Sequence, residues 1–166
     1  MDFQMLYKMQ KQLDNHIEAK HQLEDENVLD RKILAFHVEL AELANETRCF
    51  KFWSEKAPSD DAIILEEYVD GIHFILSIGI EYGYDNETMF EAPKQTKKTG
   101  EALVPYFFEV INATSLLREK GDKTSFDHLF TSYLTLGEAL GFSANNIIDA
   151  YKNKNEVNYQ RQQQGY

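Results

Sequence analysis

The sequence predicts an all-α fold, an antiparallel helical bundle. Three observations predict it. Apolar residues recur at steps of three and four almost throughout, while the alternation expected of a half-buried strand is nearly absent. The segments marked in this way are long, and they stop at glycines or polar turn clusters. The two most apolar segments each carry a carboxylate pair at helical spacing, Glu39-x-x-Glu42 in HVELAELANE and Glu67-x-x-Asp70 in ILEEYVDGIHF.

In chain order, Phe3, Leu6, Met9 or Gln10, Leu13 and Ile17 form the stripe of a first helix. Leu29, Ile33, Phe36, Leu40 and Leu43 form a second apolar seam, from about Val28 to Glu46. Asp61 to Tyr82 is the most hydrophobic stretch. Its second half is apolar nearly all round, which predicts a central helix ended by Gly83. A loop of about 17 residues follows, YDNETMFEAPKQTKKTG, long enough to be functional or mobile. Further helices are expected over Glu101 to Glu119, Ser125 to Leu140 and Ser143 to Asn153. Ser143 and Asp122 or Ser125 are the expected N-caps, and Gly121 and Gly141 the stops. From Asn155 to Tyr166 the chain is polar, and no internal repeat is visible.

Length and composition narrow the function classes. At 166 residues, with 43% hydrophobic and 13% aromatic residues, the chain is one domain able to bury a core. Its formal net charge of -11 argues against non-specific nucleic-acid binding and predicts no nucleic-acid partner. A single cysteine, Cys49, allows no intrachain disulfide. The charged N-terminus is unlike a secretory signal, and Ile72 to Ile80 is too short to span a bilayer. A soluble, cytoplasmic protein with no membrane partner is expected.

The carboxylates carry the chemistry. Residues three apart share a helix face, so each pair presents two anions to one point. Surface helices often carry such pairs as solvated decoration, but here they border the buried faces. Glu67 and Asp70 sit among Ile63, Ile64, Leu65, Val69, Ile72 and Phe74, with no Lys or Arg within one turn. Four anions facing one cavity repel and are costly to bury unpaired. A divalent cation relieves that cost, and Mg²⁺ with oxygen ligands is what phosphate chemistry requires. No Gly-rich phosphate loop is present, and no zinc-type spacing links His16, His21, His37 or His128 to the cysteine.

ELAELANE, then FKFW, EEYVDGIHF about a helix later, and YKNKNEVNYQRQQQGY at the end together resemble the all-α dimeric deoxyuridine triphosphatases (dUTPases). These belong to the wider all-α, MazG-like nucleoside triphosphate pyrophosphohydrolases. The acidic motifs are common to that group; Trp53, His73 and the closing KN-x-x-N-x-x-R pattern are closer to the deoxyuridine branch. The resemblance covers the chain from end to end and is weakest between Tyr84 and Gly141.

The resemblance implies an Mg²⁺-dependent enzyme that hydrolyses dUTP, and dUDP, to dUMP and so keeps uracil out of DNA. Glu39, Glu42, Glu67 and Asp70 would hold the metal, with Glu42 of the first pair activating the attacking water. Gln10 matches a glutamine near the uracil, while Asp14 stands where many members have Asn. Trp53 would lie against the nucleoside and His73 near the deoxyribose. Lys154, Asn158, Arg161 and Tyr166 would contact base, sugar or phosphate. On this reading residues 1–154 are the catalytic domain, residues 155–166 are a tail that closes over the nucleotide, and the protein is a homodimer.

Blander readings stand beside these. Trp53 could plug the core, His73 could be a satisfied core histidine, and Lys94, Lys97 and Lys98 could belong to a mobile solvated loop. Phe107, Phe108, Phe126, Phe130, Tyr133 and Phe142 read as core or subunit contact. Two alternative functions are a relative acting on another nucleotide (dCTP or a house-cleaning substrate) and a non-catalytic helical adaptor.

Overall fold

A computed structural model describes residues 1–165. Six α-helices follow one another: α1 (Gln4–His21), α2 (Leu29–Thr47), α3 (Asp61–Glu81), α4 (Val104–Lys120), α5 (Lys123–Leu140) and α6 (Ala144–Gln163). A single turn of 3-10 helix, Gly100–Leu103, precedes α4. Among the described residues there is no β-strand beyond one isolated bridge, Asp2 to Met89. Among the described residues, no helix is long and apolar enough to cross a membrane.

The helix ends follow local chemistry. Asp122 caps α5, its carboxylate accepting from the Ser125 N–H at 2.8 Å. Ser143 caps α6 through a reciprocal box with Asn146. Gly121 and Gly141 end α4 and α5 at positive φ, 62° and 89°, a backbone conformation glycine adopts without steric cost.

α3 is the central helix, as its all-round apolar second half predicts. From Tyr68 to Gly79 only Asp70 and Phe74 keep partial exposure. α2 packs along α3, α4 along α5, and α6 against both α3 and α1. Crossing α3 and α5 depends on two glycines. The Tyr68 and Tyr133 rings stack at 4.7 Å, each hydroxyl donating to the other residue's carbonyl at 3.2 and 2.8 Å. Gly71 and Gly137 make room for these rings, since a Cβ at Gly71 would sit 2.0 Å from the Tyr133 hydroxyl. Gly71→Ala is therefore expected to cost about 3 kcal/mol through overpacking and lower the melting temperature by roughly 10 °C. Calorimetric melts check this; an unchanged melting temperature would show that the tyrosine pair moves aside freely.

Two expectations change. The lysine-bearing loop stays exposed over much of its length but is tethered at several points. Phe90 is buried, Lys98 donates its N–H to the Ala139 carbonyl at 2.7 Å, Lys94 pairs with Glu138 at 3.0 Å and Lys97 with Asp61 at 2.8 Å. And α6 continues ten residues past Asn153, to Gln163. Polar contacts extend it: Lys20 donates to the Gln162 carbonyl, and the His16 and Tyr159 rings lie 5.5 Å apart.

Candidate active site

A cavity of about 450 Å³ opens between α1, α2, α3 and α6. That volume lies within the range of small-molecule sites. α1 contributes Gln10 and Asp14, one turn apart; α3 contributes Asp70, His73 and Ser77; α2 contributes Lys32 and Glu39; α6 contributes Asn158 and Arg161. The spacings within each helix are three, four or seven residues, which puts each set on one face.

One end of the cavity is a hydrogen-bonded floor. Gln10 Oε1 accepts from the Tyr151 hydroxyl at 2.7 Å and faces His73 Nδ1 at 2.8 Å. Gln10 Nε2 donates to Asp14 Oδ1 at 2.7 Å, and the Ser77 hydroxyl donates to Asp14 Oδ2 at 2.6 Å. Because Gln10 Oε1 is an acceptor, His73 carries its proton on Nδ1, leaving Nε2 buried with no hydrogen-bond partner. Burial, then the Lys154 charge, hold the His73 pKa down to about 3, so the ring is neutral at physiological pH. It stacks on Tyr151 with centroids 4.0 Å apart. Lys32 balances this floor. Its ammonium lies 3.6 Å from Asp14, 3.1 Å from Glu18 and 2.5 Å from Glu81.

The other end is acidic. One carboxylate oxygen each from Glu39, Glu67 and Asp70 lies within 4.8 Å of the others, and all three residues are half-buried. Burial, then the charges of Asp70, Glu42 and Glu67, push the Glu39 carboxyl up to about 7. Glu67 and Asp70 are also raised, in both cases first by burial. Lys154 reaches in from α6, its ammonium 2.8 Å from both Asp70 and Glu66. Burial alone would lower the Lys154 pKa, but those two carboxylates outweigh it and raise it. The neighbourhood of Asp70 therefore has a cation that sequence distance concealed. Three hard oxygen donors, close together and mutually destabilising, fit a divalent metal ion.

The predicted residues divide accordingly. Gln10, Asp14, His73, Asn158, Arg161, Glu39 and Asp70 share one cavity. Glu67 joins through the carboxylate cluster and Lys154 through its bond to Asp70. Glu42 is exposed and outside the three-way cluster, yet near enough for its charge to act on Glu39 and Glu67. Trp53 is neither a core plug nor part of the cavity wall. It is 65% exposed, against Phe52 and Phe50. The reason is the end of α2: Arg48 turns at φ 56° and only Cys49 of the following segment is buried. Tyr166 lies outside the described residues.

A search of curated proteins finds no match. The family comparison does: residues 2–166 match the dUTPase family. The chain belongs to the dUTPase family. Membership, over nearly the whole sequence, makes it a nucleotide pyrophosphohydrolase, a dUTP diphosphatase. The all-α fold agrees with the branch that the acidic motifs suggest.

For this dUTPase-family chain the sequence reading missed Lys32, Ser77, Tyr151 and Glu66. Ser77 was within reach, lying seven residues after Asp70 and four after His73 on one face of α3. Lys32, seven before Glu39, obeys the same rule. Glu66 and Tyr151 carried no such signal.

The electrostatics make a testable statement about the metal-free protein. Glu39 holds its proton more tightly folded than unfolded, because its folded pKa is raised to about 7. Its contribution is therefore unfavourable above about pH 7, shrinks as pH falls below that value and is gone below the ordinary carboxylate range. His73 has the opposite sign, stabilising above its unfolded value and losing that as pH falls toward about 3. The His73 contribution is common to parent and Glu39→Gln and cancels between them. In chelator, Glu39→Gln should be more stable than the parent at pH 8 by about 1 kcal/mol, discounted for its half exposure, and equal to it near pH 4.5. Denaturant melts at the two pH values check this, and equal stability at pH 8 would contradict it.

Proposed function

We propose that this dUTP diphosphatase is Mg²⁺-dependent and cleaves dUTP, and dUDP, to dUMP, with the cavity floor reading the base and the acidic end serving the phosphates. The observation that supports this most is the cavity's two-ended chemistry: neutral, fixed hydrogen-bonding groups at one end and clustered carboxylates at the other. Glu39, Glu67 and Asp70 would hold the metal, with Glu42 beside them. A divalent cation held there would supply positive charge against the phosphate oxygens and the charge developing on them.

The chain's own residues supply the rest. Gln10 cannot swing freely, because Tyr151, His73 and Asp14 engage both ends of its amide. Such a fixed amide, with Asp14 and Ser77 beside it, suits recognition of a pyrimidine edge. His73, neutral and stacked, gives the sugar an uncharged wall. Glu42, free of the three-way cluster, keeps a lone pair for the proton of the attacking water. Lys154 and Arg161 meet the phosphates. Residues 155–166 act as the closing segment; since α6 is already helical to Gln163, closure settles a formed helix onto the nucleotide. Trp53 reaches the nucleoside only if its loop moves.

Apolar surface left on α2 and α4 supports a homodimer. Phe107, Phe126, Phe130, Tyr133 and Phe142 are used in the chain's own core, but Leu34, Val38, Phe108 and Ile111 remain exposed. Light scattering at micromolar concentration should give twice the chain mass, and a monomeric mass would remove this part of the proposal. The buried free thiol of Cys49 accords with the reducing cytoplasm.

The experiment for the base assignment is steady-state hydrolysis of dUTP, dUDP, dCTP and TTP under the same Mg²⁺ concentration. A preference for deoxyuridine nucleotides of about a hundredfold or more is expected from a site built on fixed hydrogen bonds. Equal turnover of dCTP and dUTP would assign the floor to another base.

A further inference from the structure

Lys154 is 8% exposed, and its ammonium is shared between two acids of different standing. Asp70 Oδ2, at 2.8 Å, belongs to the carboxylate cluster; Glu66 Oε1, also at 2.8 Å, does not. The backbone that carries Lys154 is fixed, because Tyr151 one turn earlier is fully buried and bonded to Gln10. The lysine side chain has four rotatable carbons, through which its ammonium can be redirected. An ammonium and a divalent cation cannot share one carboxylate without strong repulsion in a half-buried site. We propose that Lys154 is the resident counter-ion of the metal-free site and that Glu66 is a positioning residue, which keeps the ammonium when Asp70 turns its carboxylate to a divalent cation.

This rests on the metal-site reading above and goes beyond it by assigning Glu66 and the order of events. Without Glu66, Asp70 is the one acid among the described residues left in direct ion-pair contact with Lys154, which then competes with the metal at full strength. With Glu66, the ammonium leaves Asp70 without becoming an unpaired buried charge, whose cost would otherwise oppose loading. Phosphate oxygens are a second destination for the same ammonium, so metal and nucleotide favour each other's binding.

The test is calorimetric titration of Mn²⁺ alone into the nucleotide-free full chain. Lys154→Met is expected to bind Mn²⁺ about tenfold tighter than the parent, and Glu66→Gln about threefold weaker or more. A general field effect gives the same two signs, so the double variant decides. If Glu66 acts through Lys154, adding Glu66→Gln to Lys154→Met changes affinity by less than about twofold. A Glu66 effect that persists undiminished in the Lys154→Met background overturns the inference, as does Lys154→Met binding no tighter than the parent. Thermal melts confirm folding, and Lys154→Gln repeats the measurement with a polar side chain should Lys154→Met not fold. Asp70→Asn separates the two levels. If it abolishes Mn²⁺ binding while Lys154→Met leaves affinity unchanged, only the exchange fails. If the parent binds no Mn²⁺, the metal-site reading fails and the exchange with it.

Discussion

Asp70→Asn is expected to slow dUTP hydrolysis by about a thousandfold or more, the loss of ~4 kcal/mol of transition-state stabilisation. Asp70 stands at the junction of the site. It belongs to the three-carboxylate cluster, it borders the cavity, and it binds Lys154. An amide keeps the shape but removes an anion needed for the metal and a strong partner of the ammonium. The helices should remain, since Asp70 is half-buried and contributes no apolar core. Unlike Glu39→Gln, it should not stabilise the metal-free protein, because it removes one of the two carboxylates bonded to the Lys154 ammonium. Turnover with circular dichroism as the folding control measures this. Activity within tenfold of the parent would reduce Asp70 to a structural partner of Lys154.

Ending the chain at Asn155 should weaken binding of a non-hydrolysable dUTP analogue roughly a hundredfold, about 3 kcal/mol, through loss of charge-assisted contacts. This end point keeps the buried anchors Tyr151, Lys154 and Asn155 and removes the cavity residues Asn158 and Arg161. The bundle should stay folded, because the core cluster ends at Tyr151. Arg161→Ala alone should weaken triphosphate binding more than nucleoside binding, since a guanidinium favours phosphate oxygens. Calorimetry on the truncated chain is the check. Unchanged affinity would mean the last turns of α6 are solvated helix with no part in the site.

The helices were legible because their apolar residues fall on one stripe, as in Ile33, Phe36, Leu40 and Leu43 of α2, or on every side, as in α3. The caps at Asp122 and Ser143 were legible for the same local reason. The last ten residues of α6 were not. Val157, their one aliphatic residue, is exposed, and hydrophobic periodicity is blind to a helix held by polar contacts across the bundle. In the site, the carboxylate pairs showed in the sequence through their spacing. That the first pair would split did not: Glu39 enters the cluster with both Glu67 and Asp70, and Glu42 lies outside it. The partner of Asp70 was hidden by chain distance, because Lys154 meets it only once α6 has folded back over α3. At Trp53 only the core-plug alternative fails, because a sharp turn after α2 carries the indole into solvent.

If the Glu39, Glu67 and Asp70 cluster is a metal site serving hydrolysis of a deoxyuridine nucleotide held in the adjoining cavity, turnover depends on that metal. The most direct test is the rate of dUMP formation from dUTP by the parent protein, in Mg²⁺ and again in excess chelator. Turnover with Mg²⁺, a fall to background in chelator and full recovery when Mg²⁺ is returned are expected. Turnover that persists in chelator would contradict the metal dependence.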